Sequence, residues 1–336
     1  MIDYRTEAPP ILRDFLSYHE TIKAHSQRTV DEYFLDLRNF FRYLKMTRDP
    51  SLKGIALQDI DIMDVDLDFV ASVTLTDIYE YISYLSRDRV LHQNSRNSDY
   101  GLNATSRARK ISTIRSFYNY LTNKAHLIEQ NPVKDIDSPK LKKSLPKYLT
   151  LDESVQLLES VDGQNRERDY AILTLFLNCG LRISELCGIN LQDIQEEALR
   201  VLGKGNKVRI VYLNDACLDA LNAYLAVRRP ITGRDQNALF LSSRNERISK
   251  STVHALVKKH ISAAGLDATQ YSSHKLRHTA ATLMLQNGVD VRAVQEVLGH
   301  EHLNTTEIYT HIDNEALRVA AKANPLSRVK ASKKKD

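Results

Sequence analysis

Cysteine is scarce: three residues in 336, Cys179, Cys187 and Cys217, with no CxxC or Cys/His spacing. An odd number without such spacing argues against a disulfide framework or a thiolate metal site, and two of the three sit in apolar helical patterns. Reduced core thiols in a cytosolic protein are therefore expected. Long apolar runs are missing too. The longest, such as "AILTLFL", fall far short of the roughly 20 residues of a membrane span. The first residues, "MIDYRTEAPP", lack a basic n-region and an apolar h-region. No internal repeat of solenoid or propeller length stands out, and only the tail "KASKKKD" is of low complexity. A soluble, cytoplasmic, globular chain with no membrane association is expected.

What is present is enough chain for two domains, since single domains usually span about 100 to 200 residues. The net charge is +5, unevenly spread: residues 1–135 hold 18 Lys+Arg against 19 Asp+Glu, whereas Thr105 to Lys147 hold ten against three. Such clustering reads either as a polyanion-facing surface or as a solvated helix face with a flexible linker. The segment "NPVKDIDSPKLKKSLPKYLT" combines three prolines and five lysines with few large apolar groups, which marks the linker between the domains.

Periodicity makes the first third helical. Ile11, Leu12, Phe15 and Leu16, then Val30, Tyr33, Phe34, Leu37, Phe40, Phe41 and Leu44, recur at spacings of three and four. A third helix is expected over Thr76–Ser86, with Thr76 or Asp77 as cap, and a fourth over Ser106–Lys124. The acidic "LQDIDIMDVDLDF" alternates like a strand, and "RDRVLHQNSRNSDYGLN" reads as a loop. Beyond the linker, a capped helix at "TLDESVQLLESV" precedes a buried helix, a turn at Gly180 and a further helix. "ALRVLGKGNKVRIVYL" then forms a hairpin whose turn runs from Gly203 to Lys207. Helices follow, broken by a short strand at "ALFLS". The fold class is mainly α with a small antiparallel β-sheet.

Four places attract chemistry: Arg182 in "GLRISEL", Lys204 in "GKGNK", His274 with Arg277 in "HKLRH", and His300 with Tyr309 in "LGHEHLNTTEIYTHI". Each has a plain structural alternative. Arg182 can simply pair with Glu185 at i,i+3, and the hairpin lysines can be solvated turn charges. His274 and His278 share a helical face as zinc ligands do, but Lys275 and Arg277 stand where a cation would bind, and no glutamate is at hand. The surroundings suit an anion. Two arginines in a cleft repel unless an anion lies between them, and guanidinium forks match two phosphate oxygens. If the anion is a phosphodiester, Tyr309 is a candidate nucleophile: with an ordinary pKa near 10, about one part in a thousand is ionised at pH 7, a deficit of roughly 4 kcal/mol that a cluster of cations would reduce. A lysine on a hairpin or a histidine can protonate the departing oxygen.

These motifs together resemble the tyrosine site-specific recombinases, the phage-integrase family, and within it the bacterial Xer recombinases. The resemblance runs through "LTLDESVQLLESV", "GLRISELCGI", "LGKGNKVRIVYL", "SSHKLRHTAATLMLQNGVDVRAVQEVLGH" and "NTTEIYTHI", most of residues 148–315. It implies a helical, SAM-like core-binding domain at 1–130, a basic linker at 131–147, a catalytic domain at 148–325 and a basic tail at 326–336, closing on DNA as a C-shaped clamp.

The resemblance further implies that Tyr309 attacks a scissile phosphate, giving a 3′-phosphotyrosyl link and a 5′-hydroxyl. Arg182 and Arg277 would clamp the phosphate, Lys204 would protonate the 5′ oxygen, His274 would assist proton transfer, and His300 would support phosphate and nucleophile. No cofactor, metal or ATP is implied. Exchange would pass through a Holliday junction held by a homo- or hetero-tetramer through the C-terminal segment, with Leu317, Val319 and Leu326 as anchors in a neighbouring protomer. Double-stranded DNA with an inverted-repeat site is the expected partner, with a second recombinase or a DNA translocase as further ones. DNA contacts are expected from Arg107, Arg109, Lys110 and Arg115 on the fourth helix and Lys140, Lys142 and Lys143 in the linker. Chromosome or plasmid dimer resolution is the expected role. The alternatives are a mobile-element integrase, suggested by the longer segments at 59–68 and 87–103, and a catalytically idle DNA-binding protein. His278 and His302 have no catalytic role in this reading.

Overall fold

The computed structural model describes residues 3–91, 99–137, 147–203, 207–233, 235–299 and 323–328. Lys140, Lys142, Lys143, Lys204, His300, His302, Tyr309, Leu317 and Val319 lie outside the described residues. The chain divides into two compact units, Met1–Ser144 and Leu145–Asp336.

The first unit begins with α1 (Tyr4–Glu7) and α2 (Pro10–Ser17), which opens with proline at its first position, where no N–H is needed. A π-turn, Tyr18–Ile22, continues α2 and turns His19 inward. Next come α3 (Gln27–Arg48), α4 (Leu67–Ala71), α5 (Leu75–Arg87) and α6 (Ala104–Asn123). Phe15, Phe34, Phe40, Phe41, Tyr81, Phe117 and Tyr118 fill its core.

Local polar bonds correct three expectations in this unit. Thr74, not Thr76 or Asp77, caps α5, because its hydroxyl accepts the Asp77 N–H while the Asp77 carboxylate accepts the Thr74 N–H at 2.8 Å. Such a capping box is worth about 1 kcal/mol. The acidic segment forms a 3₁₀ turn, Leu57–Asp59, and then α4, rather than a strand. Its aspartates bond their own backbone: Asp61 accepts the N–H groups of Ile62 and Met63, and Asp66 that of Phe69. The stretch read as a loop after α5 contains two paired two-residue strands, β1 (Val90–Leu91) and β2 (Asp99–Tyr100), running antiparallel.

The second unit is built around α8 (Arg166–Cys179), which is buried from Arg168 to Cys179. Around it pack α7 (Leu151–Glu159), α10 (Asp215–Val227) and α12 (Ser273–Gln286). Several of the polar side chains that this burial traps are paired. Arg168 forks onto Asp169, whose other oxygen meets His260 Nε2 at 3.0 Å, and Asn214 donates to Asn178. A capping box of Thr150 and Glu153 starts α7. Among the described residues the remaining α-helices are α9 (Ile183–Gly188), α11 (Lys250–Ala263) and α13 (Val291–Leu298).

The sheet has the order β3 (Ile194–Gln195), β4 (Ala198–Leu202) and β5 (Val208–Tyr212), all antiparallel. Leu202 faces Val208 where β4 and β5 approach their turn. The "ALFLS" segment contributes isolated bridges, Asn190 with Ala238 and Leu241 with Arg247, not a strand. The three cysteines are free and buried, with the Cys179 and Cys217 sulfurs 3.7 Å apart. Leu326, expected as an anchor in a neighbouring protomer, is fully buried in the core of its own unit. It is seated there because the Asn324 amide, itself buried, donates to the Leu177 carbonyl at the end of α8 at 2.9 Å.

Candidate active site

The site begins where α8 ends. Gly180 adopts φ +59°, the left-handed conformation in which glycine avoids the steric cost of a Cβ. A Cβ there would lie 2.4 Å from Leu298 Cδ2, so the absent side chain is also what lets α13 approach α8. Two residues on, Arg182 stands at the N-cap position of α9. Its backbone N–H and its Nη1 each donate to Glu185 at 2.8 Å. The i,i+3 pairing anticipated as a structural alternative is therefore present.

Glu185 gathers more than one arginine. Its side chain is 1% exposed, and Arg209 of β5 forks onto it at 2.8 and 2.9 Å, with Arg277 Nη1 at 3.9 Å. Burial raises the Glu185 carboxyl pKa, but the Arg209 fork and the Arg182 N–H overcome that and hold it below its ordinary value. Among the described residues, three guanidinium groups thus surround one carboxylate, a formal excess of two positive charges. Arg277 registers the crowding: burial first, then the nearby Arg182 charge, push it down to about 10, which still leaves it protonated at neutral pH.

The same three arginines meet the C-terminal end of α13. Arg209 Nε donates to the Val297 carbonyl at 3.1 Å, Arg277 Nη2 to Leu298 at 2.6 Å and Arg182 Nη2 to Gly299 at 2.9 Å. Carbonyls at a helix C-terminus have no intrahelical partner and carry the negative end of the dipole, so cations settle there. Arg277 Nη1 also donates to the Gly180 carbonyl at 2.6 Å, tying the ends of α8 and α13 together. Of the three, Arg182 is the most open, with its side chain 36% exposed against 15% for Arg209 and 6% for Arg277.

His274 stands exposed in the first turn of α12, the helix that carries Arg277. His278, one turn on, sets its ring edge against Tyr148 and has its pKa lowered by burial and then by Lys275 and His274. The sequence singled out Arg182 and Arg277, which the structure brings onto one carboxylate, and passed over Arg209. One signal was available: in β5 the exposed positions are Val208 and Ile210, so Arg209 has the inward parity of Val211.

In the first unit, α6 places the expected basic residues unevenly. Lys110 is not a surface cation: it is buried against Asp36, with 2.6 Å between Nζ and Oδ1. The cause is its position on the inward face of α6, beside Ile111 and Ile114. Arg109 pairs with Glu32 and Asp36 while staying exposed, Arg107 donates to the Leu102 carbonyl, and Arg115 to that of Ile136.

Residues 147–316 match the Phage integrase family, and residues 12–125 match its N-terminal SAM-like domain. The chain is 52% identical to the tyrosine recombinase XerC of Caldanaerobacter subterraneus subsp. tengcongensis, covering 95% of this chain and 88% of that protein. It is 42% identical to XerC of Thermodesulfovibrio yellowstonii, covering 94% and 97%. The fold is shared with XerH site-specific recombinase bound to difH substrate (TM-score 0.60, 22% identity, 92% of this chain and 84% of that one). It is shared too with a lambda integrase tetramer bound to a Holliday junction (TM-score 0.58, 19% identity, 90% and 80%).

The chain belongs to the phage integrase family of tyrosine recombinases. Within the family it is a site-specific recombinase of Xer type, an enzyme with a SAM-like N-terminal domain and a catalytic integrase domain. The mobile-element alternative is not favoured by these relatives. Among the described residues no helix is long and apolar enough to cross a membrane.

Proposed function

We propose that the protein cuts and rejoins double-stranded DNA at an inverted-repeat site, with Tyr309 as nucleophile and Arg182 and Arg277 as the phosphate clamp. In the forward step the Tyr309 hydroxyl releases its proton to solvent as its oxygen bonds to the scissile phosphorus. The bond from phosphorus to the 5′ oxygen breaks, and Lys204 protonates the departing oxygen. His274 assists proton transfer, while His300 supports the phosphate. The 3′-phosphotyrosyl ester retains the energy of the broken phosphodiester bond, so the 5′-hydroxyl of a partner strand reverses the attack without ATP or metal. Strand exchange then proceeds through a Holliday junction held by four protomers. The cellular role is resolution of chromosome or plasmid dimers in the cytoplasm, on sites bound by residues 1–130, the linker 131–147 and the catalytic residues 148–325, with residues 326–336 as a basic tail. Among residues flanking DNA, Arg107, Arg109, Arg115 and the linker lysines Lys140, Lys142 and Lys143 supply phosphate contacts, which position the duplex rather than read its sequence.

The observation that carries this reading is the excess positive charge around Glu185, reached through the half-open Arg182. Preorganised donors of this kind stabilise the charge that grows on the phosphate in the transition state. The test is a nicked duplex carrying the inverted repeat that the full-length protein selects from random-sequence DNA, resolved on a denaturing gel. Wild type is expected to form a covalent adduct and Tyr309→Phe none. An adduct that persists in Tyr309→Phe removes the nucleophile from this reading.

A further inference from the structure

Arg209 has more partners than a strand arginine needs and too little exposure to meet a substrate. Its side chain is 15% exposed, both terminal nitrogens are on Glu185, and Nε is on the Val297 carbonyl. Gly299 packs against it: a Cβ at that glycine would lie 3.1 Å from Arg209 Cδ and 3.2 Å from Nε. The guanidinium is therefore enclosed by α9, β5 and the end of α13.

The enclosure matters because of what Glu185 would otherwise do. A buried carboxylate with no partner on its β5 side turns toward the remaining cations, Arg182 at 2.8 Å and Arg277 at 3.9 Å. The three groups would then carry a formal charge of +1 instead of the +2 of the full cluster, and the most exposed guanidinium would be the one most strongly engaged. The bidentate fork prevents this, since it occupies one lone pair on each carboxylate oxygen in a fixed plane. At the same time the Nε bond fixes Val297, three residues before His300 in sequence.

We infer that Arg209 is a positioning residue for the recombination reaction: it holds the Glu185 carboxylate so that Arg182 and Arg277 keep their charge for a phosphate, and it anchors the carbonyl end of α13. This deepens the proposed function and rests on its assignment of Arg182 and Arg277 as the clamp. A lysine at 209 supplies the charge without the fork, and a glutamine supplies neither.

The experiment compares wild type, Arg209→Lys, Arg209→Gln, the double variant Arg209→Gln/Glu185→Gln, and Tyr309→Phe on the selected nicked duplex. Affinity is read by gel shift, adduct formation by a single-turnover time course, and folding by circular dichroism. Arg209→Gln is expected to bind DNA within about threefold of wild type and to form adduct about a hundredfold more slowly, the scale of losing one preorganised donor. Arg209→Lys is expected to lie between the two.

The double variant separates charge balance from structural support. Removing the unopposed carboxylate restores at least about tenfold over Arg209→Gln, whereas a merely structural arginine would leave the double variant as slow or slower. Three results overturn the inference: Arg209→Gln cleaving within about threefold of wild type, Arg209→Lys as slow as Arg209→Gln, or no recovery in the double variant. If Arg209→Gln does not fold, the lysine variant decides alone by its rate against wild type: slowing supports the inference and an unchanged rate overturns it. An adduct in Tyr309→Phe would instead defeat the nucleophile assignment, so the two failures are distinguishable.

Discussion

Asp36 in the first unit and Glu185 in the second are carboxylates with side chains 1% exposed, and each collects arginine or lysine from distant positions in the chain. Among the described groups in ion-pair contact around Asp36 the charges cancel. Arg109 and Lys110 face Asp36 and Glu32, and the Thr113 hydroxyl completes the shell. Around Glu185 they do not, because three arginines share one acid among the described residues and each turns a remaining donor to a carbonyl at the end of α13. A buried ion cluster that is neutral serves packing and register; one held above neutrality stores affinity for an anion. Desolvation makes the second arrangement costly, and the carbonyl ends of α8 and α13 offset part of that cost.

The comparison breaks most sharply at Arg277. Arg277→Ala removes two donors and leaves the Gly180 and Leu298 carbonyls without their side-chain partner. Adduct formation on the nicked duplex is expected to fall by about 10³-fold, measured under single-turnover conditions; a loss under tenfold would mean that the excess charge does not serve the phosphate.

The counterpart in the first unit is Asp36→Asn, which leaves Lys110 buried opposite a neutral amide. Breaking a buried pair costs about 3 to 5 kcal/mol, and the value here should sit at the lower end. Burial already lowers the Lys110 pKa against the pull of Asp36, so losing the carboxylate lowers it further. Urea denaturation at pH 7 and pH 9 checks this: the variant should recover part of its deficit at the higher pH.

Acid sharpens the contrast further, with a smaller effect. His19, buried in the π-turn beside His25, is pushed down to about 4, by burial first and then by the charges of His25 and Lys23. A folded pKa below the unfolded value of about 6.5 means that protons bind the unfolded chain more tightly. Stability is therefore full above pH 6.5 and declines as pH falls towards 4, by on the order of 2 kcal/mol. Glu185 contributes in the same direction but lower: its pKa lies below the ordinary carboxylate value, so its contribution is kept until pH drops through that range. Thermal unfolding from pH 7 to pH 4.5 should show a decline that His19→Gln removes; a decline of equal size in the variant would place the titration elsewhere.

Much of the fold was legible because helices announce themselves by period. Val30, Phe34, Leu37, Phe41 and Leu44 repeat at three and four and are all buried in α3. The acidic segment was misread because its aspartates alternate with apolar residues yet bond to their own backbone, a local competition that periodicity does not register. Arg182 and Arg277 were conspicuous in short motifs, and 95 residues apart they converge on one carboxylate. Arg209 and Leu326 were not foreseen in their places. Their partners, Glu185 and Val297 for one and the core around α8 for the other, lie far away in sequence, and only the tertiary structure pairs them.

At Gly180, tolerance to mutation parts company from exposure and from chemistry. The residue has no side chain to offer a substrate, yet its carbonyl receives Arg277, its left-handed turn aims Arg182, and the space beside its α-carbon is filled by Leu298. A hydrogen atom there stands in for a whole side chain's worth of room, and three helices are registered to that vacancy. In a saturation screen the position would read like a catalytic residue, although what it supplies to the reaction is only the absence of a methyl group.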